Sequence, residues 1–164
     1  VCACDLHPIV RRNRSIANGG YGLYGCWRVK HGLFEGNEVR DNHGAGVSIG
    51  HKDTDNLFRN NTIRANGQAG VLFRQESEAM GAHRNIFESN VILDNGTEPG
   101  QSSRLAPIVI RGEHHDLQFR DNLIGYTRAT GSEAEAIDAK PGVEHLQLQA
   151  NKFENVRSPA VPAP

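Results

Sequence analysis

Apolar and polar residues alternate in short stretches that recur along this chain, and asparagine or glycine follows each stretch. The clearest copy is Leu57-Phe-Arg-Asn-Asn61-Thr-Ile-Arg-Ala-Asn66, which leads into Gly70-Val-Leu-Phe73. Alternation with a period of two is typical of β-strands, and asparagine and glycine are typical of the tight turns between them. Each copy therefore predicts three short strands separated by three turns.

The copies recur at a nearly constant spacing. Their leading asparagines are 24, 24, 29, 32 and 29 residues apart, at Asn13, Asn37, Asn61, Asn90, Asn122 and Asn151. The first three copies define the unit, and the later ones carry insertions of about five to eight residues. A fixed period of this size is typical of a solenoid, in which each unit buries its apolar face only by stacking on its neighbours.

Parallel stacking of these units, with strands about 4.8 Å apart, would align equivalent residues in columns along the axis. Two asparagine columns fall at turns, where side-chain amides can both donate and accept hydrogen bonds, and we interpret them as structural ladders. Three columns are apolar and are predicted to form the core. They are Val10, Phe34, Phe58, Phe87, Phe119, Leu148; Val39, Ile63, Ile92, Ile124, Phe153; and Leu23, Val47, Val71, Ile108, Ile137.

The pattern Asn-x-Ile-x-x-Asn-Gly-x-x-Gly-Val, from Asn61 to Val71, resembles the parallel β-helix repeat of the pectate-lyase-like superfamily. That superfamily includes polysaccharide lyases, glycoside hydrolases and mannuronan C5-epimerases. The resemblance extends over about residues 5–156. It implies an all-β, right-handed parallel β-helix of about six to seven coils with three short strands each. We expect one domain over residues 1–157 and a Pro/Ala-rich tail over residues 158–164.

The composition suits a narrow core. Only 37% of residues are hydrophobic and the mean hydropathy is −0.53, and a solenoid needs few apolar residues because each coil buries only its inward side. The net charge of −1 argues against the broad basic field of nucleic-acid-binding proteins. No apolar run approaches the length of about 18 residues that a membrane span requires. We therefore expect no nucleic acid and no membrane as partner, and any charged function must be local.

The cysteines and the number of coils bear on location and partners. Cys2 and Cys26 are 24 residues apart, so they are expected in neighbouring coils at a separation that a disulfide tolerates. Such a bond would imply an exported protein, and we expect a secreted or cell-surface location. Three free thiols, including Cys4, are the alternative. Because the coils are few for the superfamily and no N-terminal capping helix is visible, we expect a missing segment or another chain to cover the first coil.

Charged residues follow the third strand of successive units and are predicted to face outward as a stripe. Gly50, Arg74, Arg111 and Lys140 share one file in this alignment, with Lys52, Glu76 and Glu113 two places further along. A stripe of this kind suits an extended anionic saccharide. Uronate lyases and epimerases need a cation or metal to neutralise the substrate carboxylate, next to a base that removes the C5 proton.

Candidate roles follow from this requirement. The candidate catalytic residues are Lys52, Arg74 and Arg111, which would neutralise the substrate carboxylate or abstract the C5 proton, and His51 and His114, which would donate a proton. The candidate substrate-binding residues are Asp53, Glu76, Glu113, Lys140 and Trp27. Tyr21 and Tyr24, near Trp27, could also stack on sugar rings or pack against neighbouring coils.

Two functions are open at this point. The first is action on an acidic polysaccharide by lyase or epimerase chemistry, with calcium as a conceivable cofactor and no other cofactor indicated. The second is a non-catalytic saccharide-binding or structural segment of a larger assembly. A hydrolase would need two carboxylates about 5–9.5 Å apart, and the paired aspartates of the family hydrolases are not evident. Stacked charges can also be plain surface ion pairs that keep the solenoid soluble.

Overall fold

Three parallel sheets make up almost all the regular structure of the chain. The computed structural model describes residues 6–96, 105–129 and 134–159. Sheet A contains β1 (Ile9–Arg11), β4 (Leu33–Glu35), β7 (Leu57–Arg59), β10 (Ile86–Glu88), β14 (Gln118–Arg120) and β18 (Gln147–Gln149). Sheet B contains β2 (Arg14–Ile16), β5 (Glu38–Arg40), β8 (Thr62–Arg64), β11 (Val91–Leu93), β15 (Leu123–Gly125) and β19 (Lys152–Glu154). Sheet C contains β3 (Leu23–Tyr24), β6 (Val47–Ile49), β9 (Val71–Phe73), β12 (Ile108–Ile110) and β16 (Ile137–Ala139).

The chain visits the sheets in the order A, B, C and then returns to A one layer further along. The described residues thus form six coils, the first made of β1 to β3 and the sixth ending with β19. Two short strands, β13 (His114–His115) and β17 (Val143–Glu144), pair in parallel between sheet C and the next strand of sheet A. A 3-10 helix spans Glu78–Met80. The predicted all-β solenoid of three-stranded coils is confirmed.

The predicted alignment is also the observed register. Phe34 pairs with Phe58, Phe58 with Phe87, and Phe87 with Phe119. The four rings stack with centroid separations of 4.4, 4.5 and 5.1 Å and are almost completely buried. The other two apolar columns pair in the same way, with Ile63, Ile92, Val71 and Ile108 fully buried. The core is therefore a thin cylinder enclosed by the three sheets.

The asparagine columns are ladders, as predicted. In the first, the side-chain amide of Asn61 donates to Oδ1 of Asn90 (2.9 Å) and to the backbone carbonyl of Phe34 (2.9 Å). The backbone N–H of Asn61 also donates to Asn90 Oδ1 (2.9 Å). One amide thus satisfies buried backbone groups of the turns and links consecutive coils. The second ladder, through Asn42, Asn66 and Asn95, has the same pattern.

The structure contains a third asparagine ladder, which was not predicted from the sequence. Asn56 donates to Asn85 Oδ1 at 3.0 Å, and Asn56 Oδ1 accepts from the Gly32 N–H at 2.8 Å. Both asparagines are buried and stand just before a sheet A strand. Their spacing of 29 residues, equal to that of Asn61 and Asn90, was the available signal.

Some expectations lie outside the described residues. Cys2 and Cys4 are among them, so the predicted disulfide to half-buried Cys26 stays a prediction, as does the domain boundary after residue 157. Most of the predicted tail, residues 160–164, lies outside as well. Within the described part of the chain, no helix is long and apolar enough to cross a membrane.

Truncation of the central ring of the core should be costly. We expect Phe87→Ala to lower the free energy of unfolding by about 3–5 kcal/mol, because it removes a fully buried ring between two stacked neighbours and leaves a cavity. Urea denaturation followed by circular dichroism measures the loss. Phe153→Ala, in the half-buried last position of its column, is the control and should cost clearly less. Equal losses would contradict a core centred on the stacked rings.

Candidate functional site: an aromatic surface beside a buried arginine

Two tight turns, one above the other, follow the first two strands of sheet C. Trp27 and Arg28 both have φ of 67°, and His51 and Lys52 have φ of 46° and 64°. Among the described residues these are the only consecutive non-glycine pairs with positive φ. Such turns favour Asn and Gly, and each bulkier residue held there costs of order 1–3 kcal/mol. Among the described residues, two such residues in succession therefore occur only at this end of sheet C.

A buried carboxylate holds both turns in place. Oδ1 of Asp53 accepts the Val29 N–H (2.9 Å), its Oδ2 accepts the Gly50 N–H (3.1 Å), and its own N–H donates to the Gly50 carbonyl (2.9 Å). Asp53 is 0% exposed, and burial raises the pKa of its carboxyl group, opposed by the two amide hydrogen bonds and by Arg74. The prediction that Asp53 faces outward to bind substrate is wrong, because the turn folds its side chain beneath the surface.

Aromatic rings cover the turns on the outside. Trp27 stacks on His51 with centroids 5.4 Å apart, and Tyr21 stacks on Tyr24, also at 5.4 Å. Trp27 is 46% exposed and the two tyrosines 40% and 37%, so large planar faces are open to solvent. We call Tyr21, Tyr24, Trp27 and His51 the ring surface. It contains the predicted candidates Trp27 and His51.

Arg74 lies across the second coil beneath the ring surface. Its guanidinium donates to Ser48 Oγ (3.1 Å) and to the Gly25 carbonyl, two coils away (3.0 Å), and packs over the Tyr24 ring at 4.4 Å. Gly50 makes room for it, since a Cβ there would lie 2.9 Å from Arg74 Nε. The side chain is only 13% exposed. Arg74 therefore faces the protein and is poorly placed to neutralise a substrate carboxylate directly.

His51 is held from below by a cation and an anion. The ring nitrogen Nδ1 of His51 lies 3.1 Å from Arg74 Nη2 and 3.3 Å from Glu76 Oε1. The backbone N–H of His51 donates to the same Glu76 oxygen at 3.2 Å. Arg74 can only donate and Glu76 can only accept, so the neutral ring can carry its proton on either nitrogen. The His51 side chain is 35% exposed and the Glu76 side chain 10%. Lys52, half-buried and next in the chain, makes no ion pair among the described residues.

Arg111 and Lys140 belong to a separate group. Arg111 continues the file of Gly50 and Arg74 as predicted, but its guanidinium points to the next coil, where it donates to Asp138 Oδ2 at 2.8 Å. Lys140 lies 3.6 Å from the same carboxylate. The hydrogen bond from Arg111 lowers the pKa of Asp138. The predicted stripe is therefore divided, because neighbouring arginines turn in opposite directions along the axis.

Glu113 and His114 lie further from the ring surface. Glu113 is exposed and its Oε2 accepts the Glu78 N–H at 2.7 Å. His114 is only 1% exposed and lies against Phe73, with both ring nitrogens facing backbone groups. The prediction of His114 as an outward proton donor is wrong, because β13 turns its side chain into the core.

The described part of the chain offers calcium no ready site. Among residues 6–96, 105–129 and 134–159, no three His, Cys, Asp or Glu side chains converge in a way that could hold a metal ion. The acidic candidates are already engaged: Asp53 with backbone amides, Glu76 with His51, and Glu113 with Glu78. The donor set does not fit the six to eight oxygen ligands that calcium takes.

The sequence did not reveal three partners of the arginines. Ser48 in the middle of β6 and Tyr24, which pairs with it as the second residue of β3, contact Arg74. Asp138 in the middle of β16 contacts Arg111. The signal was present, because these residues alternate with inward apolar neighbours. The alternation does not indicate whether each arginine side chain contacts the preceding coil or the following one.

The three stacked sheets and their asparagine ladders define a parallel β-helix protein. Residues 26–160 match the family model described as the right handed beta helix region, and the chain belongs to this family. The predicted handedness and the resemblance to the repeat of this fold are thereby confirmed.

One solved structure shares this fold. The chain is similar to the mannuronan C-5 epimerase AlgE4 A-module of Azotobacter vinelandii, with a TM-score of 0.61 and 14% identity. The match covers 97% of this chain and 57% of that module, so the chain spans little more than half the module's length. At this identity the likeness shows the shared fold alone. A comparison with curated proteins finds no match.

The two arginines of the divided stripe should differ in their effect on stability. We expect Arg74→Met to lower the free energy of unfolding by about 1.5–3 kcal/mol, because it removes charged hydrogen bonds to Ser48 and the Gly25 carbonyl in a mostly buried place. Arg111→Met, the matched control in the same file, should cost less than about 1 kcal/mol, since its side chain and its ion pair with Asp138 are more exposed to solvent than those of Arg74. Urea unfolding at neutral pH measures both. A larger loss for Arg111→Met would contradict this division.

Proposed function

We propose that the chain binds an acidic polysaccharide against the ring surface and acts on it by lyase or epimerase chemistry. The observation that carries this proposal is the group of partly exposed rings gathered around Arg74, which contacts both Tyr24 and His51, with Lys52 next to His51 in the chain. Aromatic side chains with an apolar face and a polar edge suit the faces and hydroxyl groups of sugars. An ammonium group beside them suits a uronate carboxylate.

His51 and Lys52 are the residues we assign to the reaction. Lys52 would pair with the carboxylate of the uronate residue and stabilise the negative charge that develops when C5 loses its proton. With Nδ1–H directed at Glu76, the other ring nitrogen of His51 is a base. With Nδ1 accepting a hydrogen bond from Arg74, Nε2 carries the proton of the ring and can donate it as an acid. Arg74 and Glu76 are positioning residues in this scheme.

Both reactions begin with the same proton transfer. A base removes the C5 hydrogen as a proton and leaves its electron pair on C5. In a lyase this pair forms the C4–C5 double bond as the C4–O bond breaks, and the leaving oxygen takes a proton. In an epimerase, C5 regains a proton on the opposite face. A histidine can remove the C5 proton in either reaction, and in an epimerase the proton that returns on the opposite face would come from water on the open side of the site.

Two further observations support this assignment. The strained pairs Trp27–Arg28 and His51–Lys52 lie directly at the proposed site, and strain of this kind clusters at functional sites. The A-module that shares the fold belongs to a mannuronan C-5 epimerase, so a uronan is a reasonable first substrate to test.

The second candidate is saccharide binding without turnover. It is favoured by the pairing of Arg74 and Arg111 with carboxylates of the protein itself, which leaves Lys52 as the one candidate catalytic cation without an ion pair among the described residues. The ring surface is also an open face, which suits a non-catalytic module as well as an enzyme.

Incubation with uronans distinguishes the two candidates. We expect mannuronan, alginate or pectate to yield an unsaturated product with ultraviolet absorbance, or to incorporate deuterium at C5 in heavy water as seen by NMR. Retention on the polysaccharide without either change would leave binding as the function. Absence of both binding and turnover across the panel would contradict both candidates.

Variants assign the roles. His51→Ala should reduce turnover by about 100-fold or more while binding is kept, because it removes the proton-transferring group. Lys52→Met should weaken both binding and turnover. The matched controls His145→Ala and Lys152→Met, on exposed positions near the C-terminal end of the solenoid, should behave as the wild type. If His51→Ala retained full turnover, the proposed chemistry would have to be abandoned.

A further inference from the structure

An insertion interrupts the regular coil just after Arg74. The unit lengthens by five residues, from 24 to 29, between Asn61 and Asn90, and the added length falls within residues 75–84, which we call the insertion. It contains the 3-10 helix Glu78–Met80 and lies against the turns of the second and fourth coils. Since the asparagine ladders follow the regular turns, this segment needs other partners for its backbone.

Two histidines supply those partners. The Ala82 N–H donates to Nδ1 of His114 at 2.9 Å, and the His115 N–H donates to Nδ1 of His83 at 3.2 Å. The Ala82 bond ties the insertion to β13 of the next coil, and the His115 bond ties β13 back to the insertion. Each histidine thus acts as an acceptor for a backbone amide, the role that asparagine Oδ1 has elsewhere in the coils.

The protonation state of both rings follows from their partners. A backbone N–H can only donate, so Nδ1 of each ring must carry no proton. On the other side, Nε2 of His114 lies 2.6 Å from the Arg111 carbonyl and 3.0 Å from the Arg74 carbonyl. Nε2 of His83 lies 2.8 Å from the Glu78 carbonyl. Carbonyl oxygens can only accept, so each Nε2 must carry the proton and both rings are neutral.

Protonation would therefore break these contacts. A proton on Nδ1 would point at an N–H donor, so the hydrogen bond to Ala82 or His115 would be lost and replaced by repulsion. The His83 ring is half-buried, stacks on His115 at 3.7 Å and has both nitrogens engaged. A cleft of about 240 Å³ beside the rings gives water access; it is lined by Glu78, Glu113, His114, His115, Gly142 and Glu144.

The charged groups around the two rings do not restore the cationic form. Burial lowers the pKa of His83, and the nearby His115 and Arg84 lower it further. The carbonyl and the carboxylate of Glu78 raise this pKa and oppose the shift. The nearest acid beyond the stack, Asp116, pairs with His115 at 2.7 Å and with His145 at 3.1 Å.

The second ring shows the same balance. Burial lowers the pKa of His114, and His83 adds to this, whereas the two carbonyls and Glu76 raise it. An imidazole with a lowered pKa stabilises the folded state above its unfolded pKa of about 6.5, and that stability is lost as the pH falls below this value.

We infer that His83 and His114 form a pH-sensitive latch that holds the insertion against the coils at neutral pH and releases it in mild acid. The latch is part of the fold and does not depend on the proposed function. Its release would nonetheless reach the ring surface, because the insertion carries Glu76, which contacts His51, and Met80, whose carbonyl accepts the Lys52 N–H at 2.8 Å.

Nitrogen-15 NMR on the wild-type protein tests the latch without any saccharide. At about pH 7.5 we expect both rings as the neutral form protonated on Nε2. Between about pH 7.5 and 5, hydrogen-exchange protection of the Ala82 and His115 amides, corrected for the intrinsic pH dependence, should fall by about tenfold or more. The Asn90 amide, bonded to an asparagine of the ladder, should keep its protection. A ring protonated on Nδ1 at neutral pH, or protection independent of pH, would overturn the inference.

Asparagine variants separate the latch from general acid sensitivity. Asparagine Oδ1 can accept the same amide and does not titrate, so His83→Asn with His114→Asn should reduce the pH-dependent loss to less than about twofold. His31→Asn, an exposed turn histidine, is the control and should keep the wild-type loss. A double variant that opened in acid like the wild type would contradict the latch. If it failed to fold, the wild-type ring states would decide alone.

Discussion

In-register stacking of the coils is the constraint on which every other feature of this molecule depends. Each three-residue strand is too short to be stable alone, and it gains its hydrogen bonds and its apolar contacts only from equivalent residues one coil away. A residue type that suits one position is therefore repeated along the axis. Phenylalanine stacks on phenylalanine in sheet A, and asparagine bonds to asparagine at the turns.

The same constraint gives charged residues their partners. On the outer face of sheet A, Glu35 lies between Arg11 and Arg59 of the adjacent coils, at 2.6 Å from each. Glu88 and Arg120 repeat the alternation at 2.9 Å. Exposed pairs of this kind contribute little each, but opposite charges in adjacent coils favour the correct register, and a slip by one residue would turn every strand's apolar face outward.

The repeat therefore made the core predictable and left the site only partly so. The columns of Phe58 and Ile63 could be placed because their period is set by stacking alone. Asp53 and His114 could not, because the turn that contains Asp53 and the short extra strand β13 that contains His114 direct these side chains inward, and no alternation marks that direction. Arg74 and Arg111 were placed in the correct file, yet a long side chain chooses between the coils on either side according to the room that a residue such as Gly50 leaves.

Departures from the repeat are where this chain becomes sensitive to its surroundings. A regular turn satisfies its backbone with asparagine, whose amide does not change charge across the physiological pH range. The insertion lies out of phase with that ladder, so Ala82 has no asparagine within reach on the next coil and bonds to His114 instead. Its carbonyl is held by Asn85, the last residue of the short third ladder. At Ala82 the insertion is therefore held by one asparagine, whose hydrogen bond does not depend on pH, and by one histidine, whose hydrogen bond does. The same insertion contains Glu76, the residue that positions His51.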